Sequence, residues 1–412
     1  STYISIVIVV IVIIVGLYYW FFLRNVGGSA QNPKPESIIQ GFNPFSRNTI
    51  IVTNNNSNNT KASTTNNIPL SNSEPLAKLR KISDTPVGGM SASSTVLRYV
   101  DRGLGHVFEI GATSTESEKI SNTTVPRVYE SYWNKNLNQV VFRYIKADSD
   151  NVVNFFGEIK SIKNASSSQD TTKYEIKGKF LSNTISQIAV SPKGDRIFTL
   201  NIENGNGIGY ISNFDETKRV KLFDTPVTQV KVEWPVEGFI TLTTRASSAS
   251  LGYMYTVDTK TGYINKVLTG SNGFSAKSSL DLKKIMYSKS INNNVKTYVY
   301  DLSKGSAVET VFNTLPEKCV WSNNRKNEAY CAVPTSFKDG IYPDDWYKGN
   351  VSFIDQIWHI NTDSGEVHML ANPLVVSDTM IDAINLKLDP KENNLYFINK
   401  YDLSLWVLDL NK

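Results

Sequence analysis

The sequence predicts an all-β fold, a seven-bladed β-propeller closed by strands from both termini, preceded by one long N-terminal hydrophobic α-helix and a polar linker. Three observations predict it. A short phrase keeps returning, in which an apolar strand end is followed by a polar turn and a strand of alternating apolar residues. It reads VSPKGDRIFTL at Val190–Leu200, VWSNNRKNEAYCAV at Val320–Val333, LDPKENNLYFIN at Leu388–Asn399 and YWNKNLNQVVFRY at Tyr132–Tyr144. Its marker residues, Met90, Trp133, Val190, Trp234, Leu280, Trp321 and Leu388, number seven. Most lie about 40–60 residues apart, the period of a propeller blade. The third observation concerns the two ends of the array.

Leu76–Ser83 followed by Asp84-Thr85-Pro86-Val87 mirrors Lys218–Phe223 followed by Asp224-Thr225-Pro226-Val227. The second of these closes a repeat, so the first is a closing strand with no repeat before it. At the other end, Leu388–Leu410 supplies only three strand segments. The orphan is therefore the missing fourth strand, and pairing it there removes free sheet edges. Hairpins between outer strands are visible at Thr259-Lys260-Thr261-Gly262 and Asp363-Ser364-Gly365, which carry the φ > 0 residues tight turns need. The domain reading is residues 1–25 as a hydrophobic transmembrane or assembly helix, 26–75 as an Asn/Thr/Ser-rich linker and 76–412 as the propeller.

Within the first of these, Tyr3–Leu23 runs 21 residues without a charge, which as a helix reaches about 31 Å, one hydrocarbon thickness. Tyr18, Tyr19, Trp20 and Arg24 suit an interfacial belt and stop. A cleavable signal peptide is the competing reading; bulky aromatics precede the small residues Gly27–Ala30, which argues against cleavage there. Because no basic residue precedes the helix, its orientation is left open. The linker holds little apolar or charged matter and reads as a spacer. Asn55-Asn56-Ser57 and Asn58-Asn59-Thr60 make Asn55 and Asn58 glycosylation-type positions, in a tract so rich in Asn that such triplets arise by chance.

Net charge is +5, from 43 basic and 38 acidic residues without long runs of one sign. That balance gives no reason to expect a nucleic-acid partner. The two cysteines, Cys319 and Cys331, flank a turn centred on Arg325, so a simple hairpin sets them opposite each other within disulfide range. A disulfide there implies an oxidising, extracytoplasmic location; two buried thiols in a reducing compartment are the alternative.

One repeat carries an insertion, PTSFKDGIYPDDWYKGNVSFID at Pro334–Asp355, between its second and third strands. Those connections share one face with the links between blades. Tyr342, Asp344, Asp345, Trp346, Tyr347 and Lys348, with Phe337 and Phe353, are therefore the candidate contacts to a protein or glycan partner. The alternative is a loop whose aromatics pack down as its own small core. Adjacent Asp344 and Asp345 alone do not make a metal site. His106, His359 and His368 fall in strand-like runs and read as structural. No nucleophile elbow, P-loop, dinucleotide fingerprint or zinc spacing occurs, so no catalytic residue, cofactor or metal is expected, and the chain reads as a non-enzyme.

The phrase W-S-x-x-G-x-x-I/L, matched best by Val190-Ser191-Pro192-Lys193-Gly194-Asp195-Arg196-Ile197, resembles TolB-type propeller repeats. The resemblance covers most of Leu76–Lys412 and implies fold rather than function. Over about the first 25 residues, a chain opening directly on its apolar helix also resembles type IV pilins and archaeal pilin-like subunits, although bacterial pilins carry Glu at the fifth mature position and this chain has Ser5. Two expectations follow. One is a cell-surface protein tethered through residues 3–23 that displays a propeller for partner binding or adhesion. The other is a filament subunit, a homo-oligomer whose core is that helix. An enzyme with an unidentified site is a third.

Overall fold

The computed structural model describes residues 77–411, apart from 113, 148, 150 and 163–173. The helix 3–23, the linker, Asn55 and Asn58 lie outside the described residues. The rest forms seven four-stranded antiparallel sheets, each in sequence order from the axis outward except the last. First strands of blades 1 to 4 touch in succession around the axis, as do those of blades 6 and 7, and blade 7 meets blade 1. The last sheet is made of Ala383–Leu388, Asn394–Asn399 and Leu405–Asp409 with Leu79–Ser83 on its outer edge. Leu79 pairs with Leu408 and Arg80 with Val407, so the orphan strand closes the ring as its sequence context requires.

Strand periodicity sets the packing. Each middle strand presents apolar residues to both neighbouring blades and is buried almost throughout, as in Ile197–Glu203 and Asn394–Asn399. The core clusters accordingly run between blades. Ala189, Phe198, Leu200 and Phe223 of blade 3 meet Val230, Val232 and Trp234 of blade 4. Trp133, Trp234 and Trp321 are 5%, 5% and 3% exposed, each wedged in such a seam, where a buried aromatic adds a few kcal/mol.

The residue that ends each inner strand proves less informative than the polar one after it. Ser191 Oγ accepts the N–H groups of Asp195 and Arg196, and Asn134 Oδ1 those of Asn138 and Gln139. Ser279, Ser322 and Asp389 do the same in blades 5, 6 and 7. These side chains hold the turn closed by satisfying donors the hairpin leaves free. Gly194 (φ +67) completes the turn of blade 3; a Cβ there would lie 2.7 Å from the Lys135 backbone N.

This corrects two markers. In blade 5 the inner strand ends at Ser278 and the cap is Ser279, so Leu280 sits in the turn and is 43% exposed. In blade 1 Met90 lies inside the strand Val87–Ala92, whose turn is capped by Ser93. The count of seven survives because the period is set by the inner hairpin's turn and not by the bulky residue. Of the histidines, His359 and His368 face each other across blade 6, whereas His106 precedes its strand, Val107–Gly111.

Candidate functional site

Turns within each blade's inner and outer hairpins lie on one face; the longer connections lie on the other, the loop face. Lys318, at the start of blade 6, is a fully buried cation on that side. Its Nζ lies 2.8 Å from Asp355 Oδ2 and 2.5 Å from Asp382 Oδ1 and donates to Ala383 O at 2.9 Å. Burial alone would lower its pKa, but the two carboxylates outweigh it and hold the amine above its ordinary value. Asp355 is pushed up to about 6 by burial, with Lys318 opposing. Its Oδ1 is buried and has no partner among the described residues.

The insertion is built on this ion group. Phe353 donates its N–H to Asp382 Oδ2 at 3.0 Å, and Trp346 its indole N–H to the same oxygen at 2.9 Å. Phe353 stacks between Trp346 and Tyr342, at 5.9 and 5.7 Å, and Phe337 meets Tyr342 and Phe353 edge-on. Lys318 Nζ lies 5.1 Å from the Trp346 ring. The aromatics thus form a small core with Val295 and Leu315. Tyr342 and Trp346 are 1% and 4% exposed and are not surface contacts; the loop spends them on its own stability.

The two aspartates are spoken for as well. Asp344 reaches the loop of blade 4, accepting Ser247 Oγ at 2.9 Å and Ser248 N at 2.6 Å. Burial opposes ionisation there, but these bonds hold it below the usual carboxylate range. Asp345 closes its own loop through Ile341 N and Asn350 Nδ2, which depress its pKa in that order. The helix Asp344–Lys348 ends at Gly349 (φ +80). Tyr347 and Lys348 remain exposed. Tyr347 Oη donates to Glu317 Oε1, and Glu317 also accepts Ser275 Oγ at 2.6 Å and lies 3.6 Å from Lys231. Tyr347, Glu317 and Lys231, with Asn385 and Lys400, border a pocket of about 260 Å³ on the loop face.

Sequence reasoning missed the neighbouring connection between blades 6 and 7. There Leu374, Val375, Val376 and Met380 are 43%, 76%, 61% and 51% exposed. Ile341 of the insertion and Tyr401 of blade 7 add 50% and 43% on the same face. The connections interlock: Asp355 N–H bonds Ile381 O, Lys400 N–H bonds Asp382 O, and Lys400 Nζ donates to Trp346 O. The apolar run Pro373-Leu374-Val375-Val376 in an inter-blade link was a readable signal. Lys318 and Asp382 had none. Cys319 and Cys331 pair in register and form a disulfide, with Cα atoms 4.0 Å apart.

No protein-family model matches the chain, and no curated protein matches it in sequence. Its structural neighbours are TolB-type and other propeller proteins. The β-propeller domain of the Trilobed protease from Pyrococcus furiosus aligns at 10% identity and TM-score 0.51, over 79% of this chain and 95% of that one. That domain has an open velcro topology, whereas this ring is sealed by Leu79–Ser83. The tricorn protease aligns at 11% identity and TM-score 0.49 over 82% of this chain and 34% of that one. TolB from Acinetobacter baumannii aligns at 13% and 0.42 over 67% and 63%. This chain therefore spans less than two thirds of the TolB and tricorn chains. At these identities the likeness is one of fold.

Proposed function

We propose that this chain is an extracytoplasmic, non-enzymatic binding protein whose propeller receives a protein partner at the loop face of blades 6 and 7. The observation that carries the reading is the run of exposed aliphatic side chains on one interlocked set of loops, Leu374, Val375, Val376 and Met380, with Ile341 exposed on the same face. A contiguous apolar patch on a rigid support marks an association surface. The Cys319–Cys331 disulfide supports the extracytoplasmic placement, and the uncharged run Tyr3–Leu23 supports a tether.

The test is saturable binding of the purified chain to intact cells of its source and to their envelope extracts. V375D/V376D is expected to weaken binding at least tenfold. V308D, on the outer strand of blade 5 where Val308 is 71% exposed, is expected to bind as wild type. Equal binding by all three forms would remove the reading. A second reading, a pilin-like filament built on residues 3–23, rests on the same uncharged run. Imaging of native material separates the two, since filaments and membrane-bound particles differ directly.

A further inference from the structure

The axis of the ring holds a second chamber, of about 360 Å³, lined by inner strands of blades 7, 1, 2 and 3. Among its walls are Gly89, Tyr129, Tyr132, Asn385 and Lys387. A bulge between Ile384 and Lys387, with Asn385 at φ +54, breaks the strand's alternation there. Asn385 and Lys387 are open to water while Leu386 between them is buried, so both side chains serve the chamber. Water reaches Lys387, yet protein surrounds it.

Among the described residues, the charged side chains on the inner strands all have an ion-pair partner except one. Glu130 accepts Arg143 Nη1 at 2.9 Å and Tyr132 Oη at 3.0 Å. Glu233 lies 3.9 Å from Lys277, and Glu317 is held by Lys231, Ser275 and Tyr347. Lys387 has no such carboxylate among the described residues. Its single hydrogen bond there runs from Nζ to Met90 O at 2.7 Å, leaving two N–H donors of the ammonium unused. Burial and, secondarily, the Lys277 charge together lower its pKa to about 8. An ammonium in that position is short of negative charge. Tyr129 Oη and the Asn385 amide, also on the chamber wall, are donors with no hydrogen bond among the described residues.

The geometry points to the axial chamber as a binding site for a small carboxylate, seated on Lys387 and oriented by Tyr129 and Asn385, with the Lys277 charge adding to the positive field from outside its walls. Lys277 comes from another blade, is paired with Glu233 and acts on the chamber only at a distance. Charge-assisted bonds from lysine set affinity, and the phenol and amide set orientation. The site is independent of the apolar patch on the loop face, so either can fail alone.

The experiment is calorimetric titration of the full chain with succinate, citrate, inorganic phosphate and glycerol at pH 7. Succinate or citrate is expected to bind at one saturable site, more weakly at higher ionic strength and as pH rises past about 8. K387M is expected to weaken it at least tenfold and K387R to retain part of it, with K277M giving a smaller loss. K387M removes a charge rather than a packing contact, so its melting temperature is expected to equal or exceed wild type, and V375D/V376D is expected to bind the anion normally. Absence of saturable carboxylate binding, preference for phosphate, or unchanged affinity in both K387M and K277M would each overturn the assignment.

Discussion

Trp346 donates its indole N–H to Asp382 at 2.9 Å, and this bond ties the insertion of blade 6 to the first residues of blade 7. Asp382 also receives Phe353 N–H and the Lys318 ammonium. One carboxylate thus fixes an aromatic loop, an inner strand and an inter-blade connection at once. The exposed apolar side chains of the loop face stand on that foundation.

Trp346→Ala therefore removes a 4% exposed ring from the loop core and strands part of Asp382. A loss of about 3–5 kcal/mol in unfolding free energy is expected, as for large-to-small changes at buried aromatics. Denaturant titration checks it. A loss near zero would mean that the insertion is not integral to the ring.

Lys318→Met leaves Asp355 and Asp382 buried without their cation, and about 3–5 kcal/mol is expected to go with it. The triple variant K318M/D355N/D382N, which carries no buried charge at these positions, is expected to recover much of that. Chemical denaturation of the two variants side by side makes the comparison.

Stability should also depend on pH through Asp355. Burial raises its folded pKa from 3.8 to about 6, so the folded chain holds that proton more tightly than the unfolded one. Its contribution is fully present below about pH 4 and is lost as pH rises through about 6. Wild type minus D355N, measured as unfolding free energy at pH 4 and pH 7, is expected to fall over that interval. A difference that rises instead would reverse the sign of the shift.

The Cys319–Cys331 bridge closes a short loop, with a sequence separation of 12. Removing it as C319A/C331A is expected to cost about 3 kcal/mol by the chain-entropy model. Intact-mass measurement before and after reduction gives a companion check. Two free thiols in native material would withdraw the argument for an oxidising compartment.

A chain starting at Asp84 lacks Leu79–Ser83, leaving Leu405–Asp409 as an open edge and uncovering Leu408. It is expected to melt lower and to self-associate. Size-exclusion chromatography with thermal melting decides this, and a monomer of unchanged stability would show that closure is dispensable.

The sequence by itself determined the ring. A polar turn closing the inner hairpin recurs once per blade, with a side-chain cap in six of the seven, and the mirrored Asp-Thr-Pro-Val contexts at Asp84 and Asp224 told which strand was orphaned. The opposition of Cys319 and Cys331 was legible for the same reason, because hairpin register is local. Marker residues were less secure. Leu280 looked like a strand end, since bulk is easier to see than a serine cap.

Only the tertiary structure decided what the loop face offers. Whether Trp346 points to a partner or to the core depends on Lys318 and Asp382, residues 28 and 36 positions away, whose buried charges accept the ring and the indole N–H. Likewise, Lys387 stands out as the inner-strand ammonium without a carboxylate among the described residues only after Glu130, Glu233 and Glu317, from other parts of the chain, are placed with their own cations. Repeats are written in local spacing, so a sequence shows them. Charge balance in a cavity is a sum over distant residues, and it exists only once the ring has closed.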